Sequence, residues 1–217
     1  MHLDLRQATY EQFVAFVFDH YPEDEVDDKW YWKTDAEITT DPRRAVEYLT
    51  KALSSGRDLL EQFTHRQIAE GFHYLLGAGA GPEVLEQLWN ADVPWPDRRR
   101  CIMAIPKLYT DVLEQEADGV GGCAYMLWDL VAYGYQCGNR DATTNPEDAR
   151  VQDAMLEALR PMLNSRHPET QAGALHGLGH LCHRDTARTI REFLASDKPL
   201  NAQVRAYAAS VLEGSFQ

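Results

Sequence analysis

Apolar residues recur at helical spacing through nearly the whole of this chain, in segments that open on a capping residue and close on glycine or proline. That punctuation leaves a set of helices as the main outcome. Thr9 and Gln12 form a capping-box pair ahead of Phe13, Phe16 and Val17, which predicts a helix over 9–20. Asp41-Pro42 places an acceptor at the N-cap and proline at the first helical position, before Val46, Leu49 and Leu53. Gly56 is expected to end that helix in the left-handed conformation. Thr64 and Gln67 repeat the capping box before Ile68, Phe72, Leu75 and Leu76, and Gly77 closes the run. Gly81-Pro82 opens a helix that Pro94-Trp95-Pro96 stops. Asp97 is the expected N-cap of a segment reaching 116, kinked at Pro106. Further helices are expected over 119–136, over 147–164 behind Asn145-Pro146, and over 169–182, 185–196 and 201–213. Glu37-Ile38-Thr39-Thr40 reads as too brief and isolated to make a sheet. The expected class is all-α, built from stacked antiparallel helical hairpins.

With 217 residues, 44% of them apolar, the chain can bury a core without disulfides or a structural metal. We expect a single helical domain over 1–217, with an acidic part, 1–146, and a nearly neutral part, 147–217. Acidic side chains number 34 against 21 basic, a net charge of −13, which argues against a nucleic-acid binder. The charge is uneven: residues 1–60 and 61–146 each carry −6, and 147–217 only −1. No stretch approaches the 18 apolar residues of a membrane span. Met1-His2-Leu3-Asp4 lacks the pattern of an export leader, and the four cysteines show no CxxC spacing. The expected setting is cytoplasmic, with reduced thiols.

The last third contains an internal repeat. Aligning Thr170–Leu178 with Val204–Leu212 puts Ala174 on Ala208 and Leu178 on Leu212, an offset of 34 residues. Pro168 and Pro199 precede the two aligned helices, and Ile190, Phe193 and Leu194 mark a shorter returning helix. Over about 150–214 this resembles HEAT repeats of the phycobilisome-lyase-like type. The resemblance implies stacked hairpins in a short solenoid, with small residues where helices approach closely. The chain also looks like bacterial helical-repeat proteins of unassigned function. Neither resemblance supplies catalytic residues.

Two constellations stand out. His176, His180 and His183 fall within about 60° of one another on a helix, and Glu169 shares their stripe two turns earlier. Neutral imidazoles at i and i+4 with a nearby carboxylate suit zinc or non-haem iron. However, no H-E-x-x-H motif is present, and the paired His-Glu motifs of iron-binding HEAT enzymes are missing. On spacing alone, these histidines line an interface between stacked helices or the solvent face, with Gly173, Gly177 and Gly179 permitting close approach. No metal or other cofactor is therefore assigned. The second constellation is an acidic segment containing Glu23, Asp24, Glu25, Asp27 and Asp28, followed by Trp30-Tyr31-Trp32. Carboxylates beside aromatics suit the recognition of a basic protein partner, and equally suit a solvated linker pinned by its aromatics.

Other signals are thinner. Gly77–Gly81 and Gly119–Gly122 read as helix connections, because no strand precedes them and no Lys-Ser or Lys-Thr pair follows. Arg98-Arg99-Arg100 reads as a solvated helix start, a partner for the acidic segment, or an anion site. Cys123 and Cys182 lack an evident base. Two functions follow as expectations. The first is a non-enzymatic module binding a basic protein, for instance a bacterial immunity- or antitoxin-like inhibitor. The alternative is a metal-dependent enzyme using Glu169, His176 and His180.

Overall fold

A computed structural model describes residues 1–21, 29–78, 82–115, 121–197 and 199–216. The chain divides into two compact units, Met1–Cys123 and Ala124–Gln217. The boundary lies well before residue 146, where the charge changes, because packing and charge divide the chain differently. Among the described residues there are twelve α-helices and one pair of short strands, so the chain is predominantly helical. Among the described residues, no helix is long and apolar enough to cross a membrane.

The first unit holds β1 (His2–Asp4), α1 (Tyr10–Phe18), α2 (Trp30–Lys33), β2 (Glu37–Thr39), α3 (Pro42–Ser54), α4 (Gly56–Leu60), α5 (His65–His73), α6 (Pro82–Glu86) and α7 (Trp95–Asp111). Both capping boxes form as the sequence dictates: Thr9 and Thr64 accept from the backbone N–H of Gln12 and Gln67, whose side chains accept in return. Asp41 caps α3 by accepting from Arg44 N–H at 3.0 Å. Four local expectations are corrected. The Glu37–Thr39 piece is not isolated: it pairs in parallel with His2–Asp4, in the register Leu3 to Ile38. Gly56 opens α4 instead of capping α3, and a Cβ there would lie 2.7 Å from Val112 Cγ2. Close packing, not a left-handed turn, explains that glycine. The helix expected from Asp97 starts at Trp95 and runs through Pro106. Finally, residues 74–78 form a π-helical turn continuing α5.

Arg98 is buried, at 2% exposure, and donates to the carbonyls of Val93 and Leu88. It locks the approach to α7, while Arg100 pairs with Asp97 at 3.1 Å. α3 packs along α7, and α1 packs on α5. Beside them, Phe16, His20, Trp30, Tyr31 and Tyr74 form an aromatic cluster, with the His20 and Trp30 rings stacked 3.6 Å apart.

The second unit holds α8 (Gly121–Gln136), α9 (Pro146–Met162), α10 (Pro168–Leu181), α11 (Thr186–Leu194) and α12 (Ala202–Glu213). Helix α10 packs against α9, α11 and α12, and α11 against α12. Buried amides tie loose carbonyls: Gln152 Nε2 donates to Leu181 O at 2.8 Å, and Gln171 Nε2 to Ser165 O at 2.9 Å. A Cβ at Gly177 would meet Trp128 at 2.8 Å and Leu159 at 2.9 Å, so glycine sets the approach of α10 to its neighbours. Burial covers most of α10: Leu175, Leu178 and Leu181 are fully buried, and Thr170, Gln171, His176 and His180 are buried as well. That packing carries its histidines inside.

Candidate metal centre

His176 and His180 lie one turn apart on α10, at 2% and 8% exposure. The spacing puts both rings on one side of the helix. Their Nε2 atoms point toward each other at 3.0 Å. Asp129 reaches them from α8. Its Oδ1 lies 2.5 Å from His180 Nε2 and in direct contact with His176 Nε2. Asp129, His176 and His180 each offer one ligand atom, and these three atoms lie within 4.8 Å of one another. Asp129 Oδ1 is itself buried and is shared between the two imidazoles, so the three groups form one compact polar cluster.

The outer nitrogens are held as well. His176 Nδ1 faces Tyr207 Oη on α12 at 2.5 Å, and His180 Nδ1 faces Gln136 Oε1 on α8. An amide oxygen only accepts, so His180 Nδ1 carries a proton and donates to Gln136, and Nε2, facing Asp129, is the nitrogen left to ligate a metal when the ring is neutral. The Tyr207 hydroxyl, which can donate or accept, holds the His176 ring in place through the same kind of bond. This is the arrangement that orients metal-binding imidazoles, since a bond held at one nitrogen aims the other. Burial alone would raise the pKa of Asp129, but hydrogen-bonding reach to His176 and His180 and their charge outweigh it and hold the group at about 2. The carboxylate is therefore ionised at neutral pH.

The chain matches no family model, no curated protein and no solved structure. The geometry of this cluster is therefore the basis for assigning chemistry. Bonds of about 2.0–2.2 Å from one cation to two nitrogens and a carboxylate oxygen place those ligands roughly 3.0–3.4 Å apart. The separation of the imidazole nitrogens fits directly. The Asp129 oxygen sits slightly closer, so an entering cation moves it outward by less than about 1 Å. Imidazole and carboxylate without thiolate favour zinc or divalent iron, cobalt, nickel or manganese over copper(I), and over calcium or magnesium, which prefer oxygen.

Of the stripe read from sequence, His176 and His180 converge and the other two members do not. Glu169 is exposed in the first turn of α10, and Asp129 occupies the role proposed for it. His183 follows Cys182, whose left-handed conformation (φ 50°) ends the helix. There, His183 Nδ1 accepts from Asp185 N–H and Nε2 donates to Asp153 Oδ1, each at 2.9 Å, so its two nitrogens are engaged elsewhere. Asp129 was missed because it lies on another element. Its one sequence signal was a lone carboxylate within the apolar stretch 123–135.

The acidic candidates Glu23, Asp24, Glu25, Asp27 and Asp28 lie outside the described residues. Trp30 and Tyr31 are buried, at 8% and 4% exposure, and serve the aromatic cluster of the first unit. Trp32, at 56%, is the exposed member of that trio. Gly79–Gly81 and Gly119-Val120 also lie outside the described residues, while Gly121 and Gly122 belong to α8.

Proposed function

We propose that the protein binds one first-row divalent metal ion through Asp129, His176 and His180, and uses the ion's remaining coordination positions for metal-assisted chemistry. The observation that carries this reading is the convergence of three ligand atoms whose supporting partners, Tyr207 and Gln136, already hold the imidazole nitrogens inward. Three protein ligands leave at least one position for water or substrate. An ion held there acts as a Lewis acid and lowers the pKa of bound water toward neutrality. This modifies the metal reading of the sequence by replacing Glu169 with Asp129. HEAT-like stacking of α10 with α12 is part of the proposal, supported by the 34-residue offset and the packing of those two helices.

The test is metal removal and return. Chelator-treated protein dialysed against zinc, cobalt or ferrous ion is expected to take up one ion per chain. At a free concentration 100-fold above Kd, the metal stabilises the fold by about 2.7 kcal/mol, seen as a rise in Tm. Absence of stoichiometric uptake and of any melting shift would reduce the cluster to a packing network.

Docking of a basic protein partner, including an immunity-like role, is a second reading. It is supported by the acidic excess of the first unit, 23 acidic against 12 basic residues, and by the exposure of Tyr21 and Trp32. Such docking weakens steeply with salt and on Trp32→Ala. Salt-independent binding would remove the steering argument.

A further inference from the structure

An aromatic ring from the end of α12 lies against both histidines of the cluster. α12 ends at Gly214, whose φ of 70° lies in the left-handed region, and its N–H donates to Val211 O at 3.2 Å. Ser215 N–H then reaches back to Ser210 O at 2.9 Å, closing the helix end and turning the chain around. That reversal lays Phe216 on α10. Its ring centroid sits 5.9 Å from that of His176 and 5.2 Å from that of His180, both edge-to-face.

Gly179 forms the seat. A Cβ at that position would lie 2.3 to 2.8 Å from three atoms of the Phe216 ring, closer than any real side chain sits. Glycine within the last turn of a helix costs about 0.5–1 kcal/mol relative to alanine. Here the cost is explained by the ring that it admits. Tyr133 of α8 also stands edge-on to the His180 ring, 5.4 Å away, and is 52% exposed. The His180 imidazole thus meets two aromatic rings, and the side chains of Asp129, at 18%, and His180, at 11%, keep the residual exposure of the cluster.

We propose that Phe216, seated on Gly179, sets the size limit for the ligand that completes the metal's coordination, admitting species as small as water or azide and excluding larger chelating groups. The proposal rests on the metal reading above. An aromatic cover also supplies the dry surroundings in which a metal-bound nucleophile or anion is stabilised most strongly.

The test uses the full chain loaded with cobalt(II), whose visible absorption reports the coordination of the ion. Azide and acetohydroxamate are titrated into wild type, Phe216→Ala and Gly179→Ala. The second variant displaces the ring by filling its seat and decides the matter should the first fail to fold. We expect azide to bind wild type and both variants with similar affinity, and acetohydroxamate to bind the variants about tenfold or more tightly than wild type. Equal acetohydroxamate affinity in all three proteins overturns the proposal and leaves the metal site standing. So does a parallel gain for both probes, which indicates general loosening. Failure of wild type to take up cobalt overturns the metal reading together with the cover built on it.

Discussion

Helical spacing brings the His176 and His180 rings side by side, but it leaves their ring orientations unheld; Tyr207 and Gln136 supply what the helix cannot. Tyr207→Phe removes only the hydroxyl that hydrogen-bonds His176 Nδ1. It is expected to weaken zinc binding about 10- to 100-fold, measured by competition with a chromophoric chelator, while the metal-free melting temperature changes little. Unchanged affinity would show that the hydroxyl orients nothing. The thiols give an independent check of burial. Cys101 is fully buried, and desolvation pushes it up to about 12, whereas Cys137 and Cys182 are exposed. Alkylation of native protein followed by peptide mapping is expected to label Cys137 and Cys182 and to spare Cys101 until the chain is unfolded. At this scale the sequence revealed what one helix brings together and hid what two helices do. His176 and His180 were legible from an i, i+4 spacing, but Asp129 was not, because nothing local relates it to α10. His183 misled because the left-handed turn at Cys182 removes it from the stripe. Trp30 and Tyr31 suited both a recognition surface and the pinning of a linker, and the packing of Phe16, His20 and Tyr74 around them places both rings in the interior of the first unit.

Element boundaries were readable where their cause is local. A capping box uses residues three apart, and both boxes, as well as the Asp41 cap, formed where their residues stand. The parallel pairing of β1 with β2 was invisible for the opposite reason, since each strand is three residues long and its partner is distant in sequence. Asp97 satisfied the pattern of a helix start, but the turn begins at Trp95, where Arg98 can reach the Leu88 and Val93 carbonyls. Close approach between elements also makes its own prediction. Gly177→Ala drives a methyl group into Trp128 and Leu159, and is expected to cost about 1–3 kcal/mol in chemical denaturation. Because Trp128 adjoins Asp129, the same variant should weaken metal binding. An alanine tolerated with no loss of stability would mean that α8 and α10 are not held at this distance.

For the whole molecule, most of the acidity and the metal cluster fall in different units. Of its 34 acidic residues, 23 belong to Met1–Cys123, yet the ligand set lies in Ala124–Gln217. The first unit also holds buried groups that resist ionisation. Burial raises Tyr10 and Cys101 to about 12 and Tyr74 further still. A folded pKa above the unfolded one gives stability that is complete below pH 9 and is lost as pH rises toward 12. Circular dichroism followed from pH 8 to 12 is expected to show a steep alkaline loss of helix that is shallower in Cys101→Ala; a flat profile would contradict the burial of these groups. The central claim is the identity of three ligands on two helices. Crystals grown with zinc and measured at its absorption edge test it most directly. The account predicts one strong anomalous peak within about 2.0–2.2 Å of Asp129 Oδ1, His176 Nε2 and His180 Nε2. A featureless map at that point, or a peak held by other residues, would contradict it.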